Sequence, residues 1–217
     1  MKTLRVNEIK TEPLVHVIDD DDSLRNALSS LLRSVGIQTR TYPSAEDLLS
    51  EQLPDVPSCL VLDVRLQGIS GLDLQARLTD CRDKLPIIFM TGHGDIAMTV
   101  RAMKAGAVDF LPKPVREQDL LDAVSVALAN SRMYRESSLT HARLIEKYQS
   151  LTSREKEIMR LAVNGVMNKN IAAELNLREI TIKIHRRSAM NKMEARTFAE
   201  LVKMGNDLNL LNGYTRV

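Results

Sequence analysis

Through residues 1–130, short apolar runs alternate with stretches whose apolar residues recur at helical spacing. Leu14–Ile18 is apolar apart from His16 and ends at Asp19-Asp20-Asp21-Asp22. Leu60, Val61 and Leu62 run straight into Asp63. Residues 86–90 end at Thr91-Gly92, and residues 108–111 lead to Lys113-Pro114. A further short strand is expected near 37–42. Brief apolar runs closed by turn residues read as strands buried on both faces. Between them, Leu24, Ala27, Leu28, Leu31 and Leu32 keep helical spacing, with Ser23 placed to cap and Gly36 to stop the helix. Ser44 caps a helix carrying Leu48 and Leu49. Another helix is expected near 72–78, and one from Asp95 through Ile96, Val100 and Met103 to Gly106. Glu117 opens the last. Five β-α units in alternation predict a parallel sheet with helices on both faces.

Beyond this block the strand pattern stops. Residues 120–128 continue the last helix, and residues 130–151 contain no Pro or Gly to break it. The spacing predicts a long or lightly interrupted helix. Leu139, Ala142, Leu144 and Ile145 give it a thin apolar stripe, which suits a solvated connector or a dimer-forming helix. Thr152 with Glu155 then forms a capping box for a helix that Gly165 stops. Residues 168–175 form a short helix, residues 176–178 a tight turn, and residues 179–193 a third helix. On the third, Ile182, Ala189 and Met193 share one face, and Lys183, Arg187 and Asn191 another. A fourth helix runs over 197–204. Two helices joined by a short turn, the second presenting basic residues, fit a helix-turn-helix.

A chain of 217 residues with 44% hydrophobic content supports two globular domains. No apolar run is long enough to cross a membrane, and the first twelve residues lack the apolar centre of a secretory signal. Cys59 and Cys81 make neither a metal spacing nor a disulfide framework, so a reducing, cytoplasmic setting is expected. The net charge of +2 hides an asymmetry. Residues 1–130 carry 14 Lys/Arg against 19 Asp/Glu, a balance of −5, whereas residues 151–217 carry 12 against 7, a balance of +5. An acidic first body and a basic second one point to different partners.

Ligands of open parallel sheets sit beyond the carboxyl ends of the strands. Asp19, Asp20, Asp63 and Thr91 all fall at such ends, and Lys113 closes the set. Converging carboxylates repel unless a cation sits among them, and oxygen-only donors favour Mg²⁺. A metal and a lysine beside a carboxylate can bring a phosphoryl group to Asp63 as nucleophile. Asp21 and Asp22 read as solvated helix-start charges, and His16 as a satisfied strand residue.

The five-part pattern of Asp19-Asp20, Asp63, Thr91 and Lys113-Pro114 resembles a two-component receiver domain over residues 14–130. The resemblance implies a flavodoxin-like sheet of strand order 2-1-3-4-5. It implies that Asp63 accepts phosphoryl from a sensor histidine kinase. Mg²⁺ would be held by Asp20 and Asp63, with Asp19 through water and the Arg65 backbone carbonyl as a further ligand. Thr91 and Lys113 would meet the phosphoryl group, and Phe110 matches the family's switch aromatic. The Lys113-Pro114 bond is cis in this family. Gln67 departs from the proline common in that loop, which bears on loop rigidity.

Leu151-Thr152-Ser153-Arg154-Glu155, Gly165, Asn168-Lys169, Ile171-Ala172 and Thr181-Ile182-Lys183-Ile184-His185 resemble the LuxR/NarL-type output domain. With the Gly92-His93-Gly94-Asp95 loop, the whole is similar to the FixJ branch of response regulators. The implied division is a receiver over 1–130 (core 14–128), a helical linker over 131–150 and a DNA-binding domain over 151–217. Lys183, Ile184 and Arg187 would face base edges in the major groove of promoter DNA. Thr152, Asn168, Lys169, Thr181 and Lys192 would contact phosphates. Met167 replaces a frequent serine, and His185 reads as packed structure. A homodimer on phosphorylation, through the helix at 95–105 and the strand at 108–111, and contact with RNA polymerase are further implications.

Two other classes compete. An aspartyl-phosphate phosphohydrolase also places a nucleophilic Asp after a parallel strand, but its second acid two residues on is replaced here by Arg65. The reading is therefore of a non-enzyme. A ligand-sensing LuxR-type regulator would need an apolar signal pocket and would leave the acids without a role.

Overall fold

The computed structural model describes residues 12–66, 68–79, 85–92 and 96–211. The chain divides into two compact units, Met1–Arg135 and Glu136–Val217. No described helix is long and apolar enough to cross a membrane.

Unit 1 is built on a five-stranded parallel sheet of β1 (Leu14–Ile18), β2 (Gln38–Tyr42), β3 (Ser58–Asp63), β4 (Ile87–Thr91) and β5 (Asp109–Pro112), in the order β2-β1-β3-β4-β5. Helices α1 (Asp22–Ser34), α2 (Ala45–Ser50), α3 (Gly71–Thr79), α4 (Ile96–Lys104) and α5 (Glu117–Gln149) follow the strands in turn. β1, β3 and β4 are buried throughout, which explains their near-continuous apolar sequence. Alternate residues serve opposite cores. Val15, Val17, Val61, Ile88 and Met90 pack with α1 and α5 through Leu28, Leu32, Leu120 and Val124. Ile18, Leu60, Leu62 and Phe89 pack on the other face with Leu48, Leu74 and Ala102. Each of the buried Val, Leu, Ile, Phe and Met side chains among them contributes about 1.5–3 kcal/mol by leaving water.

Two local expectations change. Asp21, not Ser23, caps α1, accepting from the Ser23 amide at 2.8 Å and the Leu24 amide at 3.2 Å. The helix starts at Asp22, which leaves Ser23 inside the first turn. Asp21 is thus more than a solvated charge. His16 is only half satisfied. Tyr42 gives its hydroxyl hydrogen to Glu51 Oε2 at 3.0 Å, so His16 Nδ1 donates to the Tyr42 oxygen at 3.1 Å. His16 Nε2 is then an acceptor that, among the described residues, has no partner. Burial, helped by Arg40 and opposed by Glu51, pushes the imidazole down to about 4.

α5 is one 33-residue helix. Unit 2 adds α6 (Ser153–Val163), α7 (Asn168–Glu174), α8 (Glu179–Met193) and α9 (Phe198–Asp207). The Thr152–Glu155 capping box forms as read. Ile158, Leu161, Ile171 and Ile182 make one small core. Met159, Val163, Ala189, Met193 and Leu201 make a second, against which Leu144 and Tyr148 of α5 pack. Asn176, at φ 52°, turns the chain between α7 and α8, a conformation that asparagine tolerates better than most residues.

Candidate functional site

The carboxyl ends of β1, β3 and β4 and the segment after β5 gather the acids, the threonine and the lysine. Asp19 is fully buried just past β1, Asp63 is buried at the end of β3, and Thr91 is buried at the end of β4. Lys113 reaches in with Nζ 2.6 Å from Asp19 Oδ2 and 2.7 Å from Asp63 Oδ2. Its own amide donates to the Thr91 carbonyl at 2.7 Å, which carries the β4–β5 ladder past the last strand residue. Burial alone would lower the Lys113 pKa. The hydrogen bonds it donates to Asp19 and Asp63, with the attraction of their charges, outweigh burial and raise the value, which keeps Lys113 a cation.

The acids are held by the backbone. Asp63 Oδ1 accepts from the Arg65 amide at 3.0 Å, and Asp19 Oδ1 from the Asp21 amide at 2.9 Å. One oxygen each from Asp19, Asp20 and Asp63 lies within 4.8 Å of the others. Three hard oxygen donors around one point, one of them exposed, fit a cation that retains waters, as Mg²⁺ does. Arg25, nearly buried, donates to the Asp19 carbonyl at 2.5 Å and pairs with Asp22. Gly71 closes the back of the site: a Cβ there would sit 2.7 Å from the Asp63 carbonyl oxygen. Phe110 is half-buried with its ring 6.2 Å from that of Phe89. The Lys113-Pro114 bond is cis.

Unit 2 presents a second candidate surface on α8. Ile182, Ala189 and Met193 are buried, and Lys183, Ile184 and Arg187 are exposed. Ile184 is 62% exposed, an apolar residue placed in water between two cations. Lys183 pairs with Glu179 at 3.1 Å on the same helix. Lys169 is exposed and Thr181 half-buried.

The residues read as phosphate contacts divide. The Thr152 hydroxyl accepts from the Glu155 amide at 3.3 Å as a cap, and Lys192 Nζ lies 2.7 Å from Glu155 Oε2. Glu155 is buried and also accepts from Ser188 at 2.6 Å. Burial would raise its pKa, but bonds from Lys192, Ser188 and Thr152 hold it at about 2. Asn168 Oδ1 is taken by the guanidinium of Arg186.

Residues 15–125 match the family described as response regulator receiver domain, and residues 149–205 that of bacterial regulatory proteins, luxR family. Nodulation protein W of Bradyrhizobium diazoefficiens is 50% identical over 208 residues, covering 96% of this chain and 92% of that one. This chain is a response regulator with a LuxR-type output domain. Response regulator protein TodT of Pseudomonas putida is 41% identical over 191 residues, 88% of this chain and 84% of its own. Among solved structures, the response regulator StyR is similar at a TM-score of 0.78 and 46% identity, over 90% of this chain and 98% of that one. Full-length FixJ from B. japonicum reaches 0.53 at 33% identity, over 93% and 100%.

The regulator therefore brings its five receiver residues together, although up to 94 positions separate Asp19 from Lys113. Gln67 and the loop 93–95 lie outside the described residues. Three participants escaped the sequence reading: Arg25, Arg186 and the burial of Glu155. Arg25 keeps helical spacing with Asp22, a signal that could have found its ion pair. Arg186 lies one residue from Arg187, about 100° further round the helix, so the four-residue spacing passed over it. Glu155 looked like a capping residue and is also the base of an ion pair.

Proposed function

We propose that this two-component transcriptional regulator is switched by phosphoryl transfer to Asp63 from a histidine kinase. The observation that carries the reading is the Asp19–Lys113–Asp63 bridge at 2.6 and 2.7 Å. It places a cation where the phosphoryl oxygens arrive, beside a buried carboxylate. An Asp63 oxygen forms a bond to the phosphorus of a kinase phosphohistidine, the P–N bond breaks, and the imidazole takes up a proton. Lys113 then pairs with the new acyl phosphate, and the Thr91 hydroxyl donates to it. Asp19, Asp20 and Asp63, with the Arg65 carbonyl, would hold Mg²⁺, which when bound neutralises charge on the transferring group.

Thr91 and Phe110 join this site to the α4–β5 face. Ile96, Val100 and Met103 are exposed there at 81%, 45% and 45%, an apolar strip suited to a second copy of the chain. Phosphorylation stabilises the state in which that strip pairs, and the dimer sets two α8 helices on promoter DNA. Lys183, Ile184 and Arg187 read bases, Lys169 and Thr181 hold phosphates, and RNA polymerase is the downstream partner.

The test is incubation with a small phosphodonor and Mg²⁺, followed by weighing the intact chain and measuring its size by light scattering. One phosphate per chain and a shift from monomer to dimer are expected. No gain of mass would overturn the reading. A gain of mass with no change of size would remove the dimer from it.

A further inference from the structure

We infer that Arg186 is a pre-positioned phosphate anchor for the DNA backbone, held in place by Asn168 of α7 and Phe198 of α9. The inference rests on the DNA-binding reading above and adds to it a residue outside the exposed face of α8. The Arg186 guanidinium donates to Asn168 Oδ1 and lies 4.4 Å from the centre of the Phe198 ring. Both partners are neutral. Among the described residues no carboxylate pairs with Arg186, although it is half-buried. Burial lowers its pKa, and no nearby charge offsets this.

A half-buried cation with only neutral partners is costly unless something anionic completes it. Arg186 lines an open groove of about 750 Å³ with Lys183, Arg187, Asn191 and Arg196. Glu194, the acid on this groove, is engaged with Lys147 at 2.7 Å. The groove therefore concentrates positive charge on an open surface. A guanidinium carries five N–H donors in a planar fork. Asn168 occupies part of that fork and the Phe198 ring covers one face, so the remaining N–H groups are free to serve an anion without reordering the side chain. Rigid placement lowers the entropic cost of each contact. Lys192 and Thr152 are committed to Glu155, which leaves Arg186 better placed than either to meet a phosphate.

The test uses the full chain and a mixed-sequence DNA duplex across a salt series. Arg186→Gln is expected to weaken binding about tenfold and to reduce the slope of log K against log salt by about one. Arg186→Lys keeps the slope but binds more weakly, because the fork is lost. Phe198→Ala also keeps the slope and loses several-fold in affinity. If Arg186→Gln binds more weakly with an unchanged slope, Arg186 only fastens the helices and the inference falls. Should that variant not fold, the Arg186 Nε–H resonance of the wild-type chain decides. It must move on adding duplex and return as salt rises, and a resonance indifferent to DNA overturns the assignment. A wild-type chain that binds no duplex at low salt would instead sink the DNA-binding reading itself.

Discussion

Each unit buries a carboxylate against a lysine. Asp63 meets Lys113 at 2.7 Å in unit 1, and Glu155 meets Lys192 at 2.7 Å in unit 2. Around Glu155 every approach is answered: Ser188 on one oxygen, the Thr152 amide and Lys192 on the other. That carboxylate pins α8 to the start of α6 and has little left to offer a ligand. Around Asp63, two further carboxylates crowd within 4.8 Å, and Lys113 is shared with one of them. A carboxylate–lysine pair is a fastener where its hydrogen bonds are complete and a candidate reactive site where negative charge is in surplus.

Exchanging the acids for amides gives the sharpest contrast. Asp63→Asn should bring phosphate uptake down to background, measured by intact mass, because the amide is no nucleophile. Its stability should stay within about 1 kcal/mol of wild type, since the exchange also removes repulsion. Glu155→Gln should reverse both results. Phosphate uptake stays intact, while unit 2 loses about 2–4 kcal/mol in urea unfolding, because a charged hydrogen-bond centre is gone. If the two variants behave alike in either assay, the comparison fails.

Acid should separate the units next. His16 has a folded pKa of about 4, below the 6.5 of the exposed group. The unfolded chain therefore binds the extra proton first. The stability that neutral His16 allows is complete above pH about 6.5 and is lost as pH falls towards 4, by about 3 kcal/mol. Glu155 is depressed to about 2 from 4.5, so its contribution is complete above pH about 4.5 and fails only as pH approaches 2. Unit 1 should weaken at a higher pH than unit 2. His16→Leu should flatten the upper window in pH-dependent unfolding, and a window that persists in that variant belongs to another group.

The smallest effects concern exposed against committed cations in unit 2. Arg187→Ala should cost about 1–3 kcal/mol on a preferred duplex and relax choice at one base pair per half-site. Lys169→Ala should weaken all duplexes alike and reduce the salt slope by about one. Lys192→Met should leave that slope unchanged while lowering the melting temperature, since its charge serves Glu155. A reduced slope for Lys192→Met would return it to the phosphate contacts.

Local chemistry in the sequence was enough to find the alternating strands and helices of a parallel sheet, while the strand order came from the family resemblance. The apolar runs of β1, β3 and β4 are buried on both faces, so their strand nature shows without any neighbour. The acid site was legible for a related reason: each member stands at a strand end, and parallel strands in register bring such ends together. What escaped was settled between elements. The half-met hydrogen bonding of His16 depends on Tyr42, 26 positions away, which itself answers to Glu51. The burial of Glu155 depends on Ser188 and Lys192, 33 and 37 positions on. Among the four acids at 19–22, spacing could not tell a cap from a solvated charge, because each can satisfy a helix start.

Gly71 gives the Asp63 site a tolerance narrower than a methyl group. Its missing side chain lets the first turn of α3 rest against the Asp63 carbonyl, with Phe89 and Val64 on the other sides. Any larger residue there must push the strand end that carries Asp63, although the chain keeps every side chain of the site. A Gly71→Ala chain would thus be chemically whole and geometrically displaced, a means of weighing alignment against composition in the proposed transfer.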